Sequence, residues 1–129
     1  MSIVNITNEF IVNDIVKSIN FYKDILDFEV TLIDGDPIYW AKLENNGQII
    51  MIQSYTQIKK EIPNFPSKSI PNNIIKIDCS SLEVLNNIYK KVEEKKLKIL
   101  SDYTKTEYGS VEFAIYDPDD NILLINYYL

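Results

Sequence analysis

The order of periodic segments repeats once along this chain of 129 residues. In each half a short alternating strand leads into an amphipathic helix, and several further strands follow. Matching elements are offset by roughly 65 to 69 positions, about half the chain, although the two halves share little identity. The repeat predicts an α+β protein made of two βαβββ modules. We expect one domain over residues 1–129, with modules 1–56 and 71–129.

The first module begins with a strand over Glu9–Val12, where polar and apolar residues alternate. Asp14 is a suitable N-cap for a helix that ends near Leu26. Four apolar residues share one face of that helix: Ile15, Ile19, Tyr22 and Leu26. Three extended segments follow, FEVTLI, PIYWAKLE and QIIMIQSY. Asn46-Gly47 between the last two predicts a tight hairpin, because both residues tolerate a positive φ.

The second module opens with a strand over Asn72–Asp78. Ser80 or Ser81 then caps a helix, and Ser80 with Glu83 forms the pattern of a capping box. The helix has a predicted buried face of Leu82, Leu85, Ile88, Tyr89 and Val92. The strands KIL, SVEFAIY and NILLINY complete the module.

A proline-containing linker, residues 57–70, joins the two modules. The wider segment Thr56–Pro71 holds three prolines, which we expect to prevent a regular helix or a central strand there. It is interpreted either as a simple connecting loop or as a lid over a ligand site, with Phe65 at its tip.

Composition and charge exclude several classes of function. The net charge is −6, and no basic stripe with interleaved aromatic residues is present, so we expect no nucleic-acid partner. The apolar runs are too short to span a bilayer, and the N-terminus lacks a secretory pattern. A single cysteine, Cys79, is typical of a reducing compartment. We therefore expect a cytoplasmic protein without a membrane partner, and the acidity favours a cationic or neutral small ligand.

Two stretches together resemble a known superfamily. FIVNDIVKSINFYKDILDFEV resembles its opening strand and helix through Val12, Asp14, Ser18, Phe21, Tyr22, Leu26 and Phe28. YGSVEFAIYDPDDN resembles its final hairpin through Tyr108, Gly109, Phe113, Asp117, Pro118, Asp119 and Asn121. The family is the vicinal oxygen chelate superfamily, which includes glyoxalases, bleomycin resistance proteins and dioxygenases. Asp27 and Asp120 replace the usual glycines, and aspartate tolerates the left-handed backbone expected at both turns.

The resemblance implies a curved mixed sheet with helices outside, a ligand cavity on the concave face, and a homodimer. Metal-dependent relatives hold a divalent ion with four side chains. The matching positions here are Thr7, Gln53, Asn72 (or Asn73 if the register slips by one) and Leu124. Neutral amide and hydroxyl oxygens and a leucine are a poor donor set for a transition metal, so we expect no metal and no other cofactor. A hard-cation site built from Glu9, Glu112 and Asp78 is a minor alternative.

Strand alternation predicts the side chains that face this cavity. If Thr7 faces inward, Glu9 and Ile11 do so too, while Phe10 and Val12 join the core. The alternation does not fix which face of its strand Trp40 lies on. It also does not decide whether Phe113 or Glu112 faces the cavity. Tyr108 is placed in a loop at the cavity mouth. The candidate ligand-binding residues are Thr7, Glu9, Trp40, Met51, Gln53, Asn72, Lys76, Tyr108, Glu112 and Leu124.

The leading hypothesis is a metal-independent binding protein similar to the bleomycin-resistance branch. It would sequester an apolar, aromatic or cationic small molecule, with antibiotic resistance as a further expectation. The alternative is a lyase, isomerase or dioxygenase-like enzyme that uses Glu9, Glu112 or Lys76 as acid or base. A third interpretation is an interaction module that uses the dimer surface or the segment 127–129.

Overall fold

A computed structural model describes residues 2–67 and 73–129 of the chain. These residues form two compact units, Met1–Lys68 and Ser69–Leu129. Each unit contains one four-stranded mixed sheet, so the predicted α+β class and the repeated βαβββ pattern are confirmed. Among the described residues no helix has the length and apolar character needed to cross a membrane.

The first unit contains four strands and two helices. In chain order they are β1 (Asn8–Val12), α1 (Ile15–Leu26), β2 (Glu29–Asp34), β3 (Trp40–Asn45), β4 (Gln48–Ser54) and α2 (Tyr55–Glu61). The strand order across the sheet is β1-β4-β3-β2. β1 runs parallel to β4, and the other neighbours are antiparallel.

The second unit repeats this arrangement with one helix. Its elements are β5 (Ile74–Asp78), α3 (Leu82–Glu94), β6 (Ile99–Lys105), β7 (Ser110–Tyr116) and β8 (Ile122–Tyr128). The strand order is β5-β8-β7-β6, and β5 runs parallel to β8. The two sheets therefore have the same topology.

Helix α1 begins and ends as the sequence predicts. The Asp14 carboxylate accepts a hydrogen bond from the Lys17 amide at 3.1 Å, as an N-cap does. Asp27 has a φ of 57°, and its amide donates to the Tyr22 carbonyl. The Asn45 side-chain amide donates to the Leu26 and Asp27 carbonyls at 3.1 and 3.2 Å, which satisfies two carbonyls at the helix end.

The core of the first unit lies between α1 and its sheet. Phe10 stacks on Tyr22 with ring centroids 5.8 Å apart. The predicted helix face is confirmed, since Ile15, Ile19, Tyr22 and Leu26 are all buried. The Asn46-Gly47 hairpin is also confirmed, with φ values of 48° and 78°. Phe10 and Val12 contribute to this core, as strand alternation predicts.

Helix α3 is capped by Ser81, whose hydroxyl accepts a hydrogen bond from the Val84 amide at 3.2 Å. The predicted capping box of Ser80 with Glu83 is wrong, because the helix begins one residue later. Leu85 lies fully buried on the sheet side, and Tyr89 meets Phe113 edge to face at 5.0 Å. Phe113 therefore points towards α3.

The β7–β8 turn is organised by the buried carboxylate of Asp117. Its Oδ1 accepts hydrogen bonds from the Asp119 and Asn121 amides, both at 2.9 Å, and its Oδ2 accepts one from the Asn121 side chain at 2.8 Å. Asp120 takes a left-handed φ of 65° in this turn, as expected.

The expectation that prolines prevent a helix in the linking segment is wrong for its first part. Helix α2 covers Tyr55–Glu61, and the Ser54 hydroxyl accepts a hydrogen bond from the Gln57 amide at 3.1 Å. The first proline of the segment is Pro63, which lies beyond the helix and leaves its hydrogen bonds intact. Phe65 packs edge to face on Tyr55 with centroids 6.2 Å apart.

Candidate functional site

The first sheet has one face covered by α1 and one face turned away from it, here called the α1-distal face. Strand pairing places Glu9, Met51 and Lys42 in one row of this face. Ile11, Gln53 and Trp40 form the neighbouring row. The predicted alternation of β1 is confirmed. The direction of Trp40, which the sequence left open, is towards the α1-distal face.

Trp40 and Glu9 contact each other across β4. The indole Nε1 of Trp40 donates a hydrogen bond to Glu9 Oε1 at 3.1 Å. Glu9 is exposed and Trp40 is half-buried. Half-buried Met51, which pairs with Glu9 in the parallel ladder, adds a flexible apolar side chain to the same face. An aromatic ring, a carboxylate and a thioether thus occupy one surface.

Gln53 is 4% exposed, and its amide is already engaged. Its Nε2 donates to Glu61 Oε2, which also accepts a hydrogen bond from the Gln57 side chain at 3.2 Å. The strand ends at Ser54, so Tyr55 starts α2 and the expectation that it continues the strand pattern is wrong. Glu61 was not predicted as a site residue, because it lies in the segment assigned to the linker.

Thr7 lies immediately before β1 and is half-buried. Its hydroxyl accepts a hydrogen bond from the Asn5 side chain at 3.0 Å. Asn72, another candidate position, lies outside the described residues, and the adjacent Asn73 is exposed and precedes β5.

The second sheet likewise has a face turned away from α3, here called the α3-distal face. Lys76 pairs with Leu124 across the parallel ladder, so both candidates lie on this face. The Lys76 ammonium forms an ion pair with Asp78 at 3.5 Å and lies 4.3 Å from the centre of the Tyr128 ring. It also donates a hydrogen bond to the Tyr128 hydroxyl, and this bond raises the pKa of Lys76 above its ordinary value.

Glu112 lies on the α3-distal face, whereas Phe113 points towards α3. Of these two residues, Glu112 is therefore the one on the face turned away from the helix. Its Oε1 accepts a hydrogen bond from the Tyr108 hydroxyl at 2.9 Å. Tyr108 is 67% exposed and precedes Gly109, which has a φ of 86°. Asn126 is the cross-strand partner of Glu112, and its side-chain amide donates to Asp78 at 3.0 Å. Asn126 was not among the predicted ligand-binding residues.

The positions that resemble metal ligands do not fit a transition metal. Thr7 offers a hydroxyl, Gln53 offers an amide already bonded to Glu61, and Leu124 offers hydrocarbon. Zinc, iron and nickel require imidazole, thiolate or carboxylate donors. Across residues 2–67 and 73–129 no three His, Cys, Asp or Glu side chains come together in a metal-binding group, which also disfavours the hard-cation alternative.

Comparison with solved structures shows the same fold in several proteins of low identity. A glyoxalase/bleomycin resistance protein/dioxygenase family enzyme from Burkholderia phytofirmans is 16% identical, with a TM-score of 0.76 over 95% of this chain and 97% of the other. A glyoxalase-related enzyme from Fulvimarina pelagi is 10% identical, with a TM-score of 0.80 over 97% and 88%. Lactoylglutathione lyase from Agrobacterium tumefaciens is 13% identical, with a TM-score of 0.73 over 96% and 92%.

No curated protein matches the chain significantly in sequence. The sequence model of one family, however, matches residues 3–125, which include every strand but the last three residues of β8. With the duplicated strand–helix–strand topology, this match identifies the chain as a member of the Glyoxalase/Bleomycin resistance protein/Dioxygenase superfamily.

Proposed function

We propose that this protein is a metal-independent binding protein that sequesters a small aromatic or cationic molecule on the α1-distal face. The observation that carries the proposal is the contact between Trp40 and Glu9, at 3.1 Å. An indole face attracts flat rings and cations, and a neighbouring carboxylate adds attraction for positive charge.

The unfilled bonding capacity of Glu9 supports this proposal. The Trp40 indole uses Glu9 Oε1, and no described lysine forms an ion pair with this carboxylate. An exposed carboxylate has acceptor positions on both oxygens, so a ligand cation can bind without displacing the indole. Met51 beside it can adapt its three rotatable bonds to the shape of a ligand.

The chemistry of the donor set supports metal independence. Thr7, Gln53 and Leu124 supply no anionic donor at the positions where metal-dependent relatives are expected to hold an ion. Binding by stacking and charge needs no Lewis acid, so the protein would act by holding its ligand stoichiometrically. We further propose that it works in the cytoplasm as a homodimer, and light scattering of the purified protein would test the dimer.

Native mass spectrometry of protein isolated from its source cells, without chelators, tests the proposed function. We expect a co-purified organic molecule and only trace transition metal by elemental analysis. Near-stoichiometric, tightly bound transition metal would contradict metal-independent binding.

The co-purified molecule then allows a test of the site itself. Trp40 is the single tryptophan, so a change in tryptophan fluorescence during a titration reports on that side chain alone. We expect Trp40→Ala to weaken binding by about fivefold, measured by calorimetry, since ring stacking contributes about 1 kcal/mol. Tyr103→Ala is the control, because it removes a partly exposed aromatic ring from β6 in the second unit. Equal affinities for Trp40→Ala and the wild type would place the ligand elsewhere.

A further inference from the structure

Three polar side chains lie side by side on the α3-distal face of the second sheet. Asp78 on β5 pairs with Asn126 on β8, and Asn126 pairs with Glu112 on β7. One amide group therefore lies between two carboxylates. A side-chain amide has two N–H donors, but both are on the same nitrogen.

The amide of Asn126 donates to Asp78 and leaves its own oxygen without a partner. Nδ2 of Asn126 lies 3.0 Å from Asp78 Oδ1. The residue is 0% exposed, and its Oδ1 accepts no hydrogen bond from any described residue. Because the amide oxygen and nitrogen diverge from the same carbon, Oδ1 does not point along the bond to Asp78.

Glu112 carries the second unpartnered oxygen. Its Oε1 accepts the Tyr108 hydroxyl, whereas its Oε2 is buried and accepts no hydrogen bond within the described part of the chain. Buried polar atoms in native proteins are rarely left unpaired, so two such acceptors on cross-strand partners indicate a missing donor.

No described lysine supplies that donor. Lys76 is on the same face, but its ammonium is engaged with Asp78 at 3.5 Å and with Tyr128. None of the ion pairs among the described residues includes Glu112. The charge of Asp78 is thus compensated by Lys76 and Asn126, whereas no lysine of the described residues forms an ion pair with Glu112.

We infer that Glu112 and Asn126 form a binding site for a ligand ammonium group, such as that of a protonated primary amine. An ammonium has three donors and no acceptor, so it can donate to Glu112 Oε2 and Asn126 Oδ1 together and neutralise the carboxylate. A divalent hard cation fits less well, because it requires about six to eight oxygen ligands. Exposed Tyr108 bonds the neighbouring oxygen, and its side chain can turn aside to admit the ligand.

This site does not depend on the proposed function. Glu9 and Trp40 belong to the first unit, and the Glu112–Asn126 pair belongs to the second. Either site can bind its ligand if the other does not.

Binding of benzylamine hydrochloride, with benzyl alcohol as its neutral counterpart, tests the inference. Both are titrated into isotope-labelled protein at constant ionic strength, and the side-chain amide resonances of Asn126 are followed by NMR. We expect saturable shifts with benzylamine and none with the alcohol or with added potassium chloride.

Glu112→Gln and Glu107→Gln form a matched pair of variants. Each removes one negative charge, but Glu107 is exposed and is not one of the three polar side chains that lie side by side on the sheet. In Glu112→Gln the new amide keeps an oxygen for the Tyr108 hydroxyl and gains an N–H donor for Asn126 Oδ1. We expect at least a tenfold loss of benzylamine affinity together with a higher midpoint of thermal unfolding, and less than a twofold loss of affinity in Glu107→Gln.

Several outcomes would overturn the inference. One is the absence of saturable benzylamine binding, whether or not Glu112→Gln is more stable. Another is equal loss of affinity in both variants, which would show only a general effect of charge. A third is a crystal structure in which the Asn126 amide is reversed and its nitrogen donates to Glu112, because Glu112 would then already have a donor within the protein.

Discussion

The hydroxyl of Tyr89 donates a hydrogen bond to Asp102 Oδ1 at 2.6 Å and thereby links α3 to β6. The same oxygen accepts the Tyr103 amide at 2.7 Å. These two bonds hold the pKa of Asp102 below its ordinary value of 3.8, with the Tyr89 bond as the larger cause. In turn, the bond to Asp102 is the main reason that the pKa of Tyr89 is raised to about 12.

Asp102→Asn is therefore expected to remove a pH-dependent part of the stability. Because the folded pKa of Asp102 is lowered, its contribution is complete above 3.8 and is lost as the pH falls from there through the folded value. At neutral pH the variant should unfold at a lower temperature than the wild type. The difference should disappear in strong acid, as measured by circular dichroism.

Asp24→Asn provides the matched control for this pH series. Asp24 is an exposed residue of α1, and replacing it changes the net charge by the same amount. We expect its unfolding temperature to follow that of the wild type at every pH. A constant offset of Asp102→Asn across the whole range would contradict the role assigned to its ionised carboxylate.

Cys79 is expected to be a slow nucleophile. Burial, with a smaller contribution from the charge of Asp78, raises the pKa of its thiol from 9.0 to about 11. Thiolate is the reactive form, and a shift of this size lowers its population about 100-fold at mildly alkaline pH. Iodoacetamide should therefore modify the folded protein about 100-fold more slowly than the urea-unfolded chain. Similar rates in both states, followed by mass spectrometry, would be inconsistent with this environment.

Replacement of Asp27 by glycine is expected to stabilise the protein. Asp27 ends α1 with a φ of 57°, a conformation that side chains with a Cβ adopt at a cost. Glycine removes this cost but adds freedom to the unfolded chain, so we expect a net gain of about 0.5 kcal/mol in the free energy of unfolding. Asp24→Gly, within the same helix, should instead lose about 0.3 kcal/mol. Chemical denaturation of both variants measures the two changes.

Glu9→Gln is expected to change the emission of the single tryptophan. Excitation moves electron density in indole away from its nitrogen, so a carboxylate at Nε1 stabilises the excited state of Trp40. The neutral amide should therefore shift the emission maximum to shorter wavelength. Glu29→Gln, an exposed position on β2, makes the same charge change and should leave the spectrum as in the wild type.

Local chemistry made much of the fold predictable from the sequence. Asp14 marked the start of α1, and Asn46-Gly47 marked a hairpin, because each depends on contacts within a few residues. Helix α2 was not predicted, because the prolines that follow it indicated a loop and outweighed the Ser54–Gln57 capping pattern at its start. That pattern was present in the sequence and would have placed Glu61 next to the predicted site.

The candidate site was less predictable, because its contacts join residues distant in sequence. Alternation placed Glu9 and Lys76 on their faces, but the direction of Trp40 depended on how β3 pairs with β4. The oxygens of Glu112 and Asn126 that lack a partner among the described residues result from the register between β7 and β8 and from full burial of the amide. Neither property is encoded by residue type.

The position of β1 at the edge of its sheet has a consequence for how the first unit folds. Within the described part of the chain it pairs with β4, and paired residues such as Asn8 and Ile50 are about 40 positions apart in the sequence. The β3–β4 hairpin needs only a short loop to close, so we expect it to form early and to serve as the template on which β1 docks late. The second unit, with β5 against β8, should follow the same order of events. Until that docking occurs, the free edges of β4 and β8 are the places where each folding unit is most open to mispairing.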